Sequence, residues 1–430
     1  MLKRLDIRQR PAEEWRADLP RPAAAAEPPS AAVQAILAVV RARGDAAVRE
    51  YTEHFDGARL DDLAVPRHEL EAALDAVPDE LRRALEVAHE RILSFHRHQV
   101  REDRRLEDGG VTVRQLRCPV QRAGLYVPGG RARYPSTVLM TAVPARVAGV
   151  PEVVLCVPPD SEGSVGTATL AAAALAGVDE VYRVGGAQAV AAMAYGTETI
   201  RAVDVIAGPG NVYVSVAKRQ VAAEGTVGVP AAFAGPSEVV VVADDTTPVD
   251  YAAVDVVVQA EHGPDGLAWL VTWSEAVANA VSEAVLGLLA GSQRREDIEA
   301  TLGQGGYAVV VDGPEQAMEV VNAIAPEHLE LMTSDPESLV PMVRNAGAVF
   351  VGPSAPASIG DYVAGPSHVL PTFGSARFAG ALGVDDFQKT VHVVSVDEDG
   401  LANLAPHVAV LAEAEGLDAH AESVRRRWAP

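Results

Sequence analysis

Cysteine is nearly absent from this 430-residue chain: only Cys118 and Cys156 occur, each beside a valine-rich apolar segment. Two thiols are too few for a disulfide framework or a thiolate metal site, so both read as buried small hydrophobes. Lysine is scarce as well, with Lys3, Lys218 and Lys389 the three among 36 basic residues. Acidic residues number 59, which leaves a net charge of −23. A field of that sign repels phosphodiester backbones and anionic lipid, and argues against nucleic acid or a membrane surface as partner. Long apolar runs are missing too. MLKRLDIRQR lacks the apolar region of a secretory signal, and VLMTAVPARVAGVPEVVLCVPP is broken by prolines, Arg146 and Glu152 before it can span a bilayer. The expected location is cytoplasmic.

What remains is the composition of a globular protein long enough for two or three domains. PRPAAAAEPPS (20–30) separates a short N-terminal arm from amphipathic helices that reach to about residue 100. From Arg122 the rhythm changes. RAGLYV, EVVLCVP, EVYRV and VDVIA read as short buried strands, each followed by a loop and a helical pattern. EVVVVADD (238–245), AVVVDG (308–313) and AVFVG (348–352) read as further strands. Such alternation implies parallel sheets with helices on their faces. The expected fold class is α/β, with two doubly wound, incomplete Rossmann-like parallel-sheet domains, a helical N-terminal region and a small C-terminal helical extension. The expected boundaries are 1–24 for the arm, 25–121 plus 237–382 for a discontinuous first α/β domain, 122–236 for the second, and 383–430 for the extension.

In doubly wound sheets, ligands gather at the carboxyl ends of the strands. YVPGG, RVGGAQ and AGPGN fall there, with glycines that let a backbone approach a phosphate. None is a G-x-G-x-x-G fingerprint, and tight turns explain them equally well. Polar residues cluster in four other places. In DYAAVDVVVQAEH, Tyr251, Val254, Val258 and His262 form one helical stripe, and Gln259 shares a face with His262 beside the core, before Gly263-Pro264 ends the helix. NAIAPEHLEL sets Glu327 and His328 after a proline, in the first turn of a helix or the loop before it. PASIGDYVAGPSHVLPTFG carries Asp361 and His368, and LAEAEGLDAH carries Glu415 and His420. Each has a bland explanation: a histidine at a helix end favours the dipole, an aspartate forms turns, a glutamate starts helices. Together, one amide oxygen, two imidazoles and a carboxylate would suit zinc, with Glu327 and His328 left as an acid/base pair. Local pattern reaches a metal-assisted α/β enzyme and stops there.

The ordered set RAGLYVPGGRARYPSTVLM, GGAQAVAAMAYGTE, GPGNVYVSVAKRQV, AGPSEVVVVAD, QAEHGPDG, NAIAPEHLEL and PASIGDYVAGPSHVLPTFGSARF resembles histidinol dehydrogenase, from about residue 122 to 420. The resemblance implies a zinc enzyme that converts L-histidinol to L-histidine with two NAD molecules in succession. It implies zinc ligands at Gln259, His262 and Asp361, with His420 supplied by the partner subunit of a homodimer. It implies NAD contacts at Tyr126, Gln188 and Asn211, one in each glycine-rich loop region. Substrate contacts are implied at Ser237, His328 and, across the interface, Glu415, in addition to the zinc ligands. It implies that Glu327 and His328 carry the catalytic proton chemistry; His368, close in sequence to Asp361, is a candidate supporting group whose role the sequence leaves open. Relatives on this scaffold oxidise other alcohols, including sulfonated diols; retention here of Glu327, His328, Glu415 and His420 favours histidinol. A metal-dependent hydrolase would be told apart by its independence of NAD. A non-catalytic binding protein would be indifferent to loss of Glu327.

Overall fold

The structure is a computed structural model that describes residues 2–20, 28–129, 133–230, 237–260, 266–292 and 294–428. The chain opens with strand β1 (Lys3–Asp6) and helix α1 (Ala12–Asp18). Four helices follow: α2 (Ser30–Arg43), α3 (Asp45–Asp56), α4 (Arg67–Ala76) and α5 (Asp79–Gln99). Strands β2 (Arg104–Asp108) and β3 (Val111–Pro119) form an antiparallel pair. Strict alternation then sets in, through β4 (Arg122–Tyr126), α6 (Pro135–Val147), β5 (Glu152–Cys156), α7 (Thr167–Leu175), β6 (Glu180–Tyr182), α8 (Gly186–Tyr195), β7 (Val205–Ala207) and α9 (Val212–Ala223). A second series holds β8 (Glu238–Ala243), α10 (Val249–Ala260), β9 (Leu267–Thr272), α11 (Glu275–Leu289), α12 (Arg295–Gly305) and β10 (Gly306–Val310). It continues through α13 (Pro314–Ile324), β11 (His328–Met332), β12 (Ala348–Val351) and α14 (Ala357–Tyr362). Strand β13 (Gln388–Val396) and helices α15 (Glu398–Ala414) and α16 (Asp418–Trp428) end the chain.

Two parallel sheets result, as the alternating pattern predicts. One has strand order β6-β5-β4-β7 and the other β1-β10-β9-β8-β11-β12; an antiparallel sheet β13-β3-β2 stands apart. Period-two side-chain alternation explains why both parallel sheets are covered on both faces. In β8, Val239, Val241 and Ala243 pack with α10, α11 and α12, whereas Val240 and Val242 turn to the side of Trp15 and α13. In β4, Ala123 and Leu125 face α4 to α7, whereas Tyr126 joins the core with α2, α3, α8 and α9.

These cores group the chain differently from the expected boundaries. Helices α2 to α5 lie on the four-stranded sheet, whereas the expected boundaries group 25–121 with the six-stranded one. The small four-stranded sheet needs apolar cover on both faces, and the amphipathic helices supply it. Residues 3–6 of the expected arm form the edge strand β1 beside β10, and Trp15 is buried in the same unit. Cys156 is buried as expected, but Cys118 is only half-buried, on β3. Among the described residues, no helix is long and apolar enough to cross a membrane.

Candidate active site

The Glu327–His328 pair does not start a helix. Helix α13 has already ended at Ile324, Ala325 takes a left-handed conformation (φ 57°), and His328 begins β11 between β8 and β12. Every residue of HLELM is buried, so burial between two strands overrides the helix-start signal of Pro326 and Glu327. Register puts His328 beside Val239 and Ala348, at the amino edge of the six-stranded sheet. This is the opposite edge from the one where ligands ordinarily gather in such sheets.

At that edge His328 is enclosed by acceptors. Its Nδ1 lies 3.6 Å from Glu327 Oε2 and 3.3 Å from the Glu238 carbonyl oxygen, and its Nε2 lies 3.4 Å from Asp361 Oδ1. The ring stacks on Phe350 with centroids 6.0 Å apart. Glu327 Oε2 accepts a hydrogen bond of 3.0 Å from the Glu238 amide. Burial pushes the Glu327 carboxyl up to about 7, against the pull of His328. Burial opposes charge on His328 as well, but Glu327 and Asp361 outweigh it and raise the imidazole to about 9. Burial and the Glu327 charge together raise Glu238 to about 8. A buried imidazole between two carboxyl groups is an arrangement for moving a proton.

Gln259 and Ser237 reach the same edge from other elements. Gly266, which follows α10 and precedes β9, would bring an added Cβ within 3.3 Å of the Ser237 carbonyl oxygen and 3.5 Å of that of Gln259. Gln259 is 2% exposed. The helix face differs from the expected one: Tyr251 and Val254 are exposed, and the core takes Ala252, Ala253, Val256, Val257 and Ala260. Gln259 is buried one turn beyond Asp255, and the exposed stripe leads away from both. His262 lies outside the described residues. Asp361 sits on α14, where His368 supports it: His368 Nδ1 lies 2.8 Å from the Asp361 carbonyl oxygen, and Nε2 lies 3.0 Å from Thr137 Oγ1 on α6. That contact joins the six-stranded sheet's site to the loop side of the four-stranded sheet.

The glycine-rich loops fall at the carboxyl ends of β4, β6 and β7, as expected. The Tyr126 hydroxyl accepts a 3.1 Å hydrogen bond from the Gly186 amide, tying β4 to the start of α8. Gln188, 1% exposed, has no hydrogen-bond partner for either amide atom among the described residues. Asn211 is exposed and caps α9, its Oδ1 accepting from Val214 N at 3.1 Å. Fully buried Lys218 donates to the Gly208 carbonyl, and burial lowers its amine to about 7. Gly208 itself has φ 107°, and a Cβ there would collide with the Tyr126 carbonyl oxygen. Gly208→Ala is therefore expected to cost about 1–3 kcal/mol of stability. A melting temperature equal to the native protein's would contradict this.

Glu415, in the turn that ends α15, and His420, on α16, are exposed, and the two helices pack chiefly on each other. Nothing in the described structure brings them to Asp361 of their own chain. Among the described residues no group of three His, Cys, Asp or Glu side chains stands ready to hold a metal. Of the expected ligands, one chain's described residues bring only Gln259 and Asp361 to the His328 edge. Their oxygens are donors that zinc accepts alongside imidazole, so the donor set fits once two histidines are added. Three acids escaped the sequence reading: Asp255, Glu238 and Glu330. Their signal was an acid inside an otherwise apolar helix or strand, where a charge is rarely buried without a purpose.

Comparison with known proteins decides the family. The family model for histidinol dehydrogenase matches residues 19–428. The chain belongs to the histidinol dehydrogenase family. It is 52% identical over 396 residues to the histidinol dehydrogenase of Parasynechococcus marenigrum, covering 92% of this chain and 90% of that one. It is 50% identical over 401 residues to that of Rhizobium meliloti, covering 93% and 92%. The crystal structure of histidinol dehydrogenase from Elizabethkingia anophelis superposes with a TM-score of 0.93 at 36% identity, covering 99% of this chain and 98% of that chain. The expected α/β fold and enzyme class thus hold for this histidinol dehydrogenase homologue, an NAD-dependent oxidoreductase by family.

Proposed function

We infer that this protein oxidises L-histidinol to L-histidine through the aldehyde, at a zinc-bearing site shared between two subunits. The observation that carries the reading is His328 held between Glu327 and Asp361 at the amino edge of the six-stranded sheet. Zinc would be held by Gln259, His262, Asp361 and His420 of the partner subunit, and would supply a positive charge that anchors the substrate. NAD would lie along Tyr126, Gln188 and Asn211 and would supply the hydride acceptor. The unpaired amide of Gln188 supports this, because a bound ligand would relieve its burial cost.

Alcohol oxidation removes a proton from the hydroxyl and a hydride from the same carbon. His328 takes the proton in this reading. It is a receiver when one of its flanking carboxylates faces another positive charge, since both otherwise hold its proton in place. The aldehyde then needs water, and Glu327, with its carboxyl near neutrality, is placed to take a proton from it. Ser237, on the same edge, and Glu415 of the partner subunit would hold the substrate. The exposed apolar residues Leu404, Val408 and Leu411 on α15 support a covered C-terminal helix pair in a homodimer.

The test is the NADH formed per L-histidinol consumed, before and after chelation and with zinc restored. About two NADH per histidinol, lost on chelation and regained with zinc, is the expected result. A ratio near one would mean that oxidation stops at the aldehyde. No turnover by the zinc-loaded protein would point to another alcohol as substrate.

A further inference from the structure

Behind the candidate site lies a pair of acids that no step above uses. Glu330, 1% exposed, points from β11 toward α10, on the strand face it shares with His328. There its carboxyl meets that of Asp255, 8% exposed, on α10. Glu330 Oε1 accepts a 2.7 Å hydrogen bond from the amide of Ala357, the first residue of α14. Its Oε2 is buried and has no donor among the described residues. Two acceptor oxygens cannot face each other in a dry core while both are ionised. One proton on Glu330 Oε2, donated to Asp255, satisfies the orphan oxygen and removes the repulsion. The direction of both shifts agrees: burial and then the Asp255 charge raise Glu330 to about 8, and burial raises Asp255.

The elements joined in this way each carry a residue of the site. Helix α10 carries Gln259 one turn beyond Asp255, β11 carries His328 two residues before Glu330, and α14 carries Asp361. A further contact runs the same way, since Gly360 of α14 lies on the Phe350 ring that stacks on His328. We propose that Asp255 and Glu330, sharing one proton, are positioning residues that register α10 and α14 on β11 so that Gln259 and Asp361 converge on one metal ion. The proposal rests on the reading of Gln259 and Asp361 as ligands. The shared proton matters as a hydrogen bond, not as a charge, so an amide in its place preserves the frame.

The experiment measures zinc affinity of the metal-free, full-length protein by competition with a chromogenic chelator, alongside its melting temperature. Glu330→Gln keeps both the donor to Asp255 and the acceptor for Ala357, and is expected to bind zinc as the native protein does. The double variant Asp255→Leu, Glu330→Met fills the space with apolar groups; removal of the buried acid pair offsets the loss of the Ala357 amide's acceptor, so it is expected to melt near the native temperature. Its zinc affinity is nevertheless expected to fall about 10–100-fold, the usual cost of losing an outer partner of a metal site. Native affinity in the double variant, with affinity lost in Asp361→Asn, overturns the proposal and leaves the ligand reading standing. Native affinity in Asp361→Asn removes the ligand reading and the proposal together. Equal loss in Glu330→Gln and the double variant also overturns it, because the hydrogen-bond frame would then be irrelevant.

Discussion

Replacing His328 by asparagine is expected to lower kcat by about 10²–10⁴-fold, the range that a positioned general base contributes. Asparagine is too short to span from Glu327 to Asp361 and cannot accept a proton at neutral pH. NAD affinity should be unchanged, because the proposed NAD contacts Tyr126, Gln188 and Asn211 lie with the other sheet, at the end of β4 and the starts of α8 and α9. Steady-state rates with L-histidinol and equilibrium binding of NAD separate the two effects. A loss below about tenfold would mean that the proton leaves by another route, with His328 merely filling the strand edge. Histidinaldehyde as substrate extends the comparison: Glu327→Gln should impair its oxidation more than the first hydride transfer. Equal losses in both half-reactions would contradict the division of labour between the two residues.

Mixing two inactive variants should restore activity. In the proposed shared site, Asp361→Asn would disable the site that uses its own α14, and His420→Asn the site that borrows its C-terminal helices. A heterodimer of the two variants holds one site with both residues intact and one with neither. Random reassociation after mild denaturation is then expected to recover about a quarter of native activity. The structural basis is the exposure of Glu415, in the turn between α15 and α16, and of His420 on α16, in a helix pair that packs chiefly on itself. Mixtures that stay inactive, with heterodimers demonstrated by mass or by tag, would exclude a shared site. Recovery would equally show that the exposed face of α15 meets a second copy of the chain.

Much of this molecule is legible in one dimension, and the failures are instructive. The strands RAGLYV, EVVLCVP and EVVVVADD appear where their apolar runs lie, because a fully buried parallel strand needs continuous apolar side chains whatever surrounds it. The three glycine-rich loops fall at strand ends for the same local reason, as Gly208 shows by its positive φ and its approach to Tyr126. HLELM is the opposite case. Pro326 and Glu327 just before it read as a helix start, yet β8 and β12 offer it a slot that buries every residue. The α10 stripe misled in a similar way, since Tyr251 and Val254 are apolar but exposed, whereas Asp255 and Gln259 are polar and buried. Side-chain polarity records an average preference; the neighbours decide the instance.

The sequence by itself determined the family, the alternation of strands and helices, and the residues with chemistry to offer. All of these are carried by short motifs and by periodicities that a few consecutive residues express. Only the tertiary structure decided that the candidate catalytic edge is the amino edge of the six-stranded sheet. It alone grouped the N-terminal helices with the smaller sheet, set Asp361 against His328, and buried Asp255 against Glu330. Each of those pairings joins segments far apart in the chain. Their energy comes from burial and proton sharing between surfaces that exist only once the sheets have closed.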